Sequence, residues 1–199
     1  RFAFSRGFEK VKLYFLCGLP GEREVDLDGI VDMAEHISQI GRDETGKYAR
    51  VTASVSNFVP KSHTPYQWNG MQTRDYFRWA HDHMKWRVRN RSVSIKCHNI
   101  ETSLLEGALS RGDRRMADVI ELAWRRGARL DSWHEHARPQ LWWDAMAELG
   151  IDVDATIHHP YGLADRLPWD HVNVKKGREY LEKEQKRSLL QLTAMADAV

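Results

Sequence analysis

Histidine pairs are the residues of this chain whose spacing most directly suggests metal chemistry. Ten histidines occur among 199 residues, including two His-x-His pairs, at His81–His83 and His134–His136. The first pair falls in a helical pattern, where residues two apart point to different sides, so the two rings cannot bind one ion together. The second pair falls in a predicted loop, where two imidazoles with Asp131 or with His158–His159 would resemble a zinc ligand set. Solvated histidines are the alternative, and we predict no metal site.

Other motifs for catalysis are missing from the sequence. It has no nucleophile-elbow glycine pattern, no phosphate-loop lysine and no Rossmann fingerprint. Cys17 and Cys97 are the two cysteines of the chain, which excludes a disulfide framework and favours a reducing, cytoplasmic location. The chain is 42% hydrophobic and 29% charged, as expected of a globular protein. No run reaches the roughly 18 apolar residues of a membrane helix, so we predict no membrane partner.

The stretch 11–22, VKLYFLCGLPGE, is the most informative candidate for a ligand site. An apolar run that ends at Gly18–Gly21 and is followed by a helical pattern predicts a buried parallel strand, a glycine turn and a helix. Ligands of such units bind at the carboxyl ends of the strands. A turn whose glycines only permit tight packing is the alternative. For Glu22 we favour a capping role at the following helix over contact with a ligand amine.

Periodicity predicts the elements that would position this turn. Alternating or continuous apolar residues predict strands over 11–17, 51–59 and 92–98. Helical spacing predicts one helix over 24–40 and another that Asn69 would cap and that would end near Asn90. Further predicted helices cover 101–110, 113–126, 139–150 and 175–198, with a loop over 158–174. The sequence thus predicts an α/β fold with about three parallel strands in residues 1–100 and helices in residues 101–199.

Three blocks of the chain, in this order, resemble one family. They read KLYFLCGLPGE, VSNFVPKSHTPYQW and HNIETSLLEGALSRGDRRMADVIELAWRRGARLDSW. The first resembles a late barrel strand of radical S-adenosylmethionine enzymes. The second and third resemble a subgroup with a cobalamin-binding domain, commonly described as iron–sulfur oxidoreductases. The resemblance covers about Val11 to Trp169 and implies the carboxyl-terminal portion of a partial (β/α) barrel in residues 1–100, with a helical extension in residues 101–199.

The resemblance also implies cofactors and the residues that contact them. For the parent protein they are S-adenosylmethionine and a 4Fe-4S cluster, and cobalamin is a third candidate. Residues expected to lie at the cofactor are Leu16, Gly18, Pro20, Glu22, Asn57 and Phe58. Residues expected to contact the substrate or cobalamin are His63, Tyr66 and Trp68, in a loop that aromatic packing alone could also explain. The substrate itself is not indicated by any residue.

The chain departs from the family pattern in ways that matter for activity. The cluster-binding Cys-x3-Cys-x2-Cys motif is absent, and two cysteines cannot supply the three thiolates that such a cluster needs. Arg23 and Ser62 also stand where the family usually has threonine and proline. We therefore expect a fragment of an iron–sulfur enzyme that is inactive alone and whose main partner is the missing amino-terminal part of its own chain.

Two other classes of function remain open at this stage. The run Lys85–Arg91 mixes cations with tryptophan, as single-stranded nucleic-acid sites do, but a net charge of +2 argues against a broad electrostatic footprint. A purely structural α/β module is the third reading. Because the first strand would be left at an open edge beside an exposed apolar face, we also expect a homodimer through 11–16. Glu106 with Arg111 or Arg114 predicts either a buried ion network or a solvated helix pair.

Overall fold

A computed structural model describes residues 1–131, 133 and 135–196. The chain divides into two compact units. The sheet unit comprises Arg1–Phe58 and Gln72–Ile100, and the helical unit comprises Val59–Met71 and Glu101–Val199. The short segment 59–71 therefore belongs with the second half of the chain, although it directly follows a strand of the sheet.

The sheet unit is built on three parallel strands. They are β1 (Lys10–Cys17), β2 (Arg50–Asn57) and β3 (Val93–Cys97), in the order β1-β2-β3. Lys10 pairs with Arg50, and the register runs without a break to Cys17 opposite Asn57. This confirms the α/β fold, the parallel strands and the adjacency of the first two, and it leaves the sheet unclosed, as in a partial α/β barrel. β1 and β3 are the two edge strands of the sheet.

Helices of the sheet unit are α1 (Phe2–Ser5), α2 (Glu24–Thr45) and α3 (Arg74–Arg87). The α2 stripe Leu27, Ile30, Val31 and Ala34 is buried, as is the β2 face Val51, Ala53 and Val55. The periods of 3.6 and 2 place these apolar side chains on facing surfaces, so burying them stabilises helix against sheet. Asp26 accepts the N–H of Arg23 at 2.9 Å at the start of α2, and Gly46 ends that helix with a φ of 79°.

The start of α3 differs from the prediction. Thr73 caps this helix by accepting the N–H of Tyr76 at 3.2 Å, so the predicted cap at Asn69 is wrong. Residues Pro65–Trp68 form a 3-10 turn in the helical unit instead. A contact with a distant part of the chain accompanies this difference. Gly70 lies so close to the backbone of His158 that an added Cβ would stand 2.0 Å from the carbonyl oxygen of His158. The segment before Thr73 is thus held by another part of the chain.

The second face of the sheet is exposed or half-buried. Its rows, from the amino to the carboxyl ends, are Lys10 and Arg50; Lys12, Thr52 and Ser94; Tyr14, Ser54 and Lys96; Leu16, Ser56 and His98. We predicted a large exposed apolar patch here, and that prediction is wrong. Alternation places lysines and hydroxyls on this face, and the exposed hydrophobic residues among the rows are Tyr14 (74% exposed) and Leu16 (48%). The face is hereafter called the open face.

The helical unit contains the remaining elements. They are α4 (Ile100–Arg111), α5 (Met116–Arg125), α6 (Pro139–Glu148), α7 (Val153–His158) and α8 (Gly177–Ala196). We predicted no helix at α7, which has only six residues; Asp152 caps it by accepting the N–H of Ala155 at 2.9 Å. Trp68, Leu167, Trp169 and Leu181 form a buried cluster of this unit. No helix in the described part of the chain is long and apolar enough to cross a membrane.

Arg111 is the most deeply buried cation of the helical unit, at 1% exposure. Its guanidinium donates hydrogen bonds to the backbone carbonyls of Gln67, Asn69, Thr156 and His159 and lies 4.7 Å from the centre of the Tyr161 ring. Burial lowers the pKa of Arg111 below its ordinary value. The predicted network of Glu106 with Arg111 or Arg114 is wrong, because Glu106 pairs with Lys61 at an exposed position. Arg111 instead joins the segments 67–69 and 156–159 of the unit through their backbone carbonyls.

Candidate functional site

The carboxyl ends of β1 and β2 meet at one edge of the sheet, where the sequence predicted a ligand site. Cys17 stands opposite Asn57, and the N–H of Phe58 donates to the carbonyl of Cys17 at 2.8 Å. Through this hydrogen bond the pairing with β1 extends to Phe58, one residue past the end of β2. The turn 18–21 follows β1, and the helical unit begins at Val59 after β2.

Gly18 begins the turn in a conformation that requires glycine. Its φ is 88°, and an added Cβ would lie 2.6 Å from Cε1 of Phe77. Its N–H donates to the carboxylate of Glu22 at 2.7 Å, and the hydroxyl of Tyr76 donates to the same carboxylate oxygen. Glu22 therefore holds the turn against α3 at the carboxyl end of β1.

The environment of Glu22 shapes its protonation. Burial raises the pKa of Glu22 above its ordinary range, although the hydrogen bonds from Tyr76 and Gly18 favour the charged form. Burial and the bond to Glu22 likewise raise the pKa of Tyr76. Our interpretation of Glu22 as the cap of α2 is wrong, because that helix begins at Glu24 and Asp26 accepts the N–H that a cap residue would satisfy.

Cys17, Asn57 and His81 form a second polar group at this edge. Oδ1 of Asn57 accepts from Nε2 of His81 at 2.7 Å and lies 3.6 Å from Sγ of Cys17. Since an amide oxygen only accepts, Nε2 of His81 carries the proton. Cysteine, histidine and asparagine also occur together in thiol nucleophile sites, but there the histidine contacts the thiol, whereas here Asn57 stands between them.

The thiol of Cys17 is unsuited to nucleophilic chemistry. Cys17 is fully buried, and burial together with the charge of Glu22 raises its pKa to about 12. Cys97, at the end of β3, has its pKa raised to about 11, mainly by burial. Both therefore remain thiols at neutral pH, and a protonated thiol is neither nucleophile nor metal ligand. The Cys17–Asn57–His81 group holds the ends of two strands to α3.

His81 is expected to make the stability of the sheet unit depend on pH in the acidic range. Burial lowers the pKa of His81 to about 4, and Lys85 adds to the effect. An unfolded histidine has a pKa of about 6.5. Because the fold prefers the neutral ring, the unfolded state binds more protons between these values, and we expect the free energy of unfolding to fall as pH drops from about 6.5 to 4.

Replacing His81 by glutamine tests this expectation, since glutamine keeps an N–H donor for Asn57 but does not titrate. Denaturant unfolding at several pH values should show a flatter acid limb for His81→Gln than for the wild type. The matched control is His83→Gln, at a histidine whose Nε2 lies 2.8 Å from Oδ1 of Asp28. Equal acid limbs in the wild type and His81→Gln would show that other groups carry the pH dependence.

The other residues predicted to contact a cofactor differ in accessibility. Leu16 is 48% exposed on the open face, and Pro20 is half-buried in the turn. Asn57 and Phe58 are buried, at 5% and 8% exposure. The structure thus brings Leu16 and Pro20 to the strand end with surface available to a ligand. The contribution of Asn57 is to the internal polar group described above.

The three residues predicted to contact a substrate lie in the helical unit. His63 has a φ of 58°, unusual for a residue other than glycine, and its N–H donates to Oε1 of Gln67 at 2.9 Å. His63 and Gln67 line a cavity of about 310 Å³. The hydroxyl of Tyr66 is 3.0 Å from Oγ of Ser188. Trp68 is 2% exposed within the buried cluster of this unit, so its ring packs in the core.

Metal binding finds no support among the described residues. No group of three or more His, Cys, Asp or Glu side chains within them could hold an ion. His81 and His83 contact Asn57 and Asp28 respectively, on different sides of α3. His134, of the second pair, lies outside the described residues. A 4Fe-4S cluster does not fit this chain's own residues, because it needs three thiolates and the sequence has two cysteines.

The basic run near the end of α3 is partly neutralised. Arg87 pairs with Asp28 and Asp32 at 3.2 and 3.0 Å, and Lys85 lies 3.9 Å from Asp82. Trp86 is 87% exposed. Carboxylates from α2 thus compete for the charges that a nucleic acid would need, which weakens the nucleic-acid reading of this run.

Sequence reasoning missed two residues of the strand-end site, Tyr76 and His81. Both come from α3, 54 and 24 residues away from the partners that they contact, Glu22 and Asn57. No spacing rule links positions so far apart. The usable signal was polarity on the helix itself, since a histidine at 81 falls between the apolar positions Phe77 and Met84 of the predicted inner stripe.

Comparison with known proteins adds one relative. An uncharacterized protein of Methanocaldococcus jannaschii is 21% identical to the chain over 117 residues, which are 58% of this chain and 24% of that protein. The aligned region is therefore about a quarter of the relative's length. No protein-family model matches the chain, and no solved structure matches it. These comparisons assign neither a family nor an activity.

Proposed function

We propose that this chain forms the carboxyl-terminal part of a radical S-adenosylmethionine barrel and that the ends of β1 and β2 contribute to the site for S-adenosylmethionine. The observation that supports the proposal best is the sheet itself. Its strands are parallel, α2 packs on one face, and the other face is exposed or half-buried. Parallel sheets are normally covered on both faces, so this arrangement suits a segment of a closed barrel, with helices outside and the open face inside.

The turn after β1 suits the end of a barrel strand at which a cofactor binds. Leu16 offers apolar surface next to a glycine turn whose conformation is fixed by Glu22 and Phe77. Apolar side chains and fixed backbone are the usual means of holding an adenine ring. In this proposal Leu16 and Pro20 contact the cofactor, while Glu22 positions the turn.

The iron–sulfur cluster of the proposed enzyme requires ligands from outside this chain. We expect a protein segment upstream of Arg1 to carry a Cys-x3-Cys-x2-Cys motif behind a predicted strand, which reading the coding sequence tests. A start codon immediately before Arg1 would contradict the proposal. The 199-residue chain, reconstituted anaerobically with iron and sulfide, should show no stoichiometric cluster absorption.

Activity of the extended protein tests the role of the strand end. After reconstitution and reduction with dithionite, it should convert S-adenosylmethionine to 5′-deoxyadenosine, measured by chromatography. Leu16→Asp should weaken cofactor binding about tenfold or more, since the apolar contact of one leucine is worth about 1.5–3 kcal/mol. Leu190→Asp, at an exposed position of α8, is the matched control. No 5′-deoxyadenosine from a fully reconstituted protein would contradict the proposed function.

Two further expectations accompany this proposal, one from the resemblance and one from the open edge of the sheet. Cobalamin is one, with His63 and Tyr66 as the candidate contacts. The homodimer through β1 is the other, and the edge position of that strand is compatible with it. Lys10 and Lys12 are exposed along the same edge strand, and lysines on edge strands oppose strand pairing between chains.

A further inference from the structure

Four permanent cations lie on the open face of the sheet. Lys10 and Arg50 form its first row, Lys12 lies in the second, and Lys96 in the third. All four side chains are exposed. Within the part of the chain that the structure describes, none of the four has a carboxylate at ion-pair distance, although pairs such as Arg87–Asp32 form elsewhere in the same unit. The open face therefore carries positive charge that no ion pair among the described residues offsets.

Lys12 and Lys96 are placed to converge on one group. They stand on the outer strands β1 and β3, one row apart, with β2 between them. Strands about 4.8 Å apart and a rise of about 3.3 Å per residue put their Cα atoms about 12 Å apart. A lysine ammonium reaches about 6 Å from its Cα. Both ammonium groups can thus meet above Ser54 in the middle strand.

The conformation of Lys12 supports this convergence. Its Nζ lies 5.2 Å from the centre of the ring of Tyr14, a residue of the row that contains Lys96. Hydroxyl groups surround the meeting point: Thr52 and Ser94 are 3.2 Å apart in the row below, and Ser54 lies in the row of Tyr14 and Lys96. Two ammonium groups over a floor of hydroxyl donors form a site for an anion.

We propose that the open face binds a small phosphate-bearing molecule, with its phosphate between Lys12 and Lys96 above Ser54. A phosphate carries up to two negative charges and three acceptor oxygens, which matches two ammonium groups and adjacent hydroxyls better than a single carboxylate does. Tyr14, 74% exposed in the row of Ser54 and Lys96, would contact the remainder of the molecule. This proposal uses only the sheet and does not depend on the proposed reaction.

A single-stranded nucleic acid suits the open face less well. Such ligands stack successive bases on several aromatic side chains. Tyr14 is the one tyrosine, tryptophan or phenylalanine among the residues of the described rows. One ring can contact one small ligand but cannot provide a stacking track, so the arrangement favours a compact phosphate compound.

Binding of inorganic pyrophosphate to the 199-residue chain, measured by calorimetry at low salt, tests the proposal. We expect Lys12→Gln and Lys96→Gln each to weaken binding at least fivefold and the double variant at least twentyfold. The matched control is Lys183→Gln on α8, which removes the same charge from an exposed position and should change affinity less than twofold. Citrate, a carboxylate anion of similar charge, should bind the wild type at least tenfold more weakly.

Several outcomes would overturn the proposal. The proposal is wrong if the Lys12 and Lys96 variants bind pyrophosphate as tightly as the wild type. It is also wrong if Lys183→Gln loses as much affinity as they do. Citrate binding as tightly as pyrophosphate would show a general anion surface, and oligothymidylate binding more tightly would show a nucleic-acid platform. If a variant fails to fold by circular dichroism, ¹³C-dimethylated lysines of the wild type give the answer: pyrophosphate should shift the Lys12 and Lys96 signals and leave Lys183 unmoved.

Discussion

Replacing Arg111 by methionine should lower the free energy of unfolding of the helical unit by about 4 kcal/mol. The guanidinium donates to four backbone carbonyls, with distances of 3.0 Å to Thr156 and 2.6 Å to His159. Methionine preserves much of the apolar stem but leaves these acceptors without donors. Each buried polar group left unsatisfied costs about 1–3 kcal/mol, and partial relaxation or entry of water keeps the total below the sum.

Two further variants separate the geometry of Arg111 from its charge. Arg111→Lys should lose about half as much stability as the methionine variant, because an ammonium cannot reach four carbonyls with the planar fork of a guanidinium. Arg114→Met, at an exposed arginine in the same segment, should stay within about 0.5 kcal/mol of the wild type. Hydrogen exchange at α4 and α7 would assign the loss to the helical unit. A loss below about 1 kcal/mol for Arg111→Met would mean that water replaces the guanidinium.

The burial of Arg111 could not be predicted from the sequence. Its position before Gly112 predicts a cation that lies near the last carbonyls of a helix. The structure buries it because its acceptors are carbonyls from the segments around Gln67 and Thr156, and carbonyls have no signature in an amino-acid sequence. Glu106 shows a second limitation, which is distance along the chain, because its partner Lys61 lies 45 residues earlier.

Elements governed by local periodicity were predictable. The strand at 51–59 follows from alternation of valine and alanine with threonine and serine, and α2 from apolar spacing that persists over several turns. The position of the candidate site at Gly18 follows from the same logic, because strand ends gather ligands in parallel sheets. Its internal contacts were not predictable, since Tyr76 and His81 reach the site only when α3 packs beside the sheet.

The composition of the open face could not be predicted for a different reason. Alternation in β1 predicts that Lys10, Lys12 and Tyr14 share one side, but a parallel strand was expected to be buried on both. The expectation of an apolar inner face assumed that all three strands are apolar on the side that would face the inside of a barrel. The register with β2 and β3 adds Arg50 and Lys96 to that side, and registers are not set by any single strand.

Gly18→Ala should lower the free energy of unfolding of the sheet unit by about 3 kcal/mol. Two costs add at this position. A residue with a side chain at a φ of 88° loses about 1–2 kcal/mol relative to glycine. The new methyl group would stand 2.6 Å from Cε1 of Phe77, which is fully buried, and overpacking of this kind typically costs about 1–3 kcal/mol. Denaturant unfolding followed by hydrogen exchange in β1 and β2 measures the loss.

A glycine in α2 supplies a control with the opposite sign. Gly29 is helical, and an added Cβ there would meet nothing within 4 Å. Gly29→Ala should therefore leave the sheet unit unchanged or stabilise it by about 0.5–1 kcal/mol, since alanine loses less backbone entropy in a helix. Loss of stability in both variants would indicate a general sensitivity of the unit rather than the conformation and close packing at Gly18.

The two costs at Gly18 can be separated with a second substitution. Phe77→Leu removes the ring atom that the methyl group would strike, although it costs stability by itself because Phe77 is a core residue. In a double-mutant cycle, Gly18→Ala should cost about 1–2 kcal/mol less in the Phe77→Leu background than in the wild type. The cost that remains in that background measures the strain of the left-handed backbone conformation. If the cost is the same in both backgrounds, the ring yields to the methyl group and the left-handed conformation alone requires glycine at the end of β1.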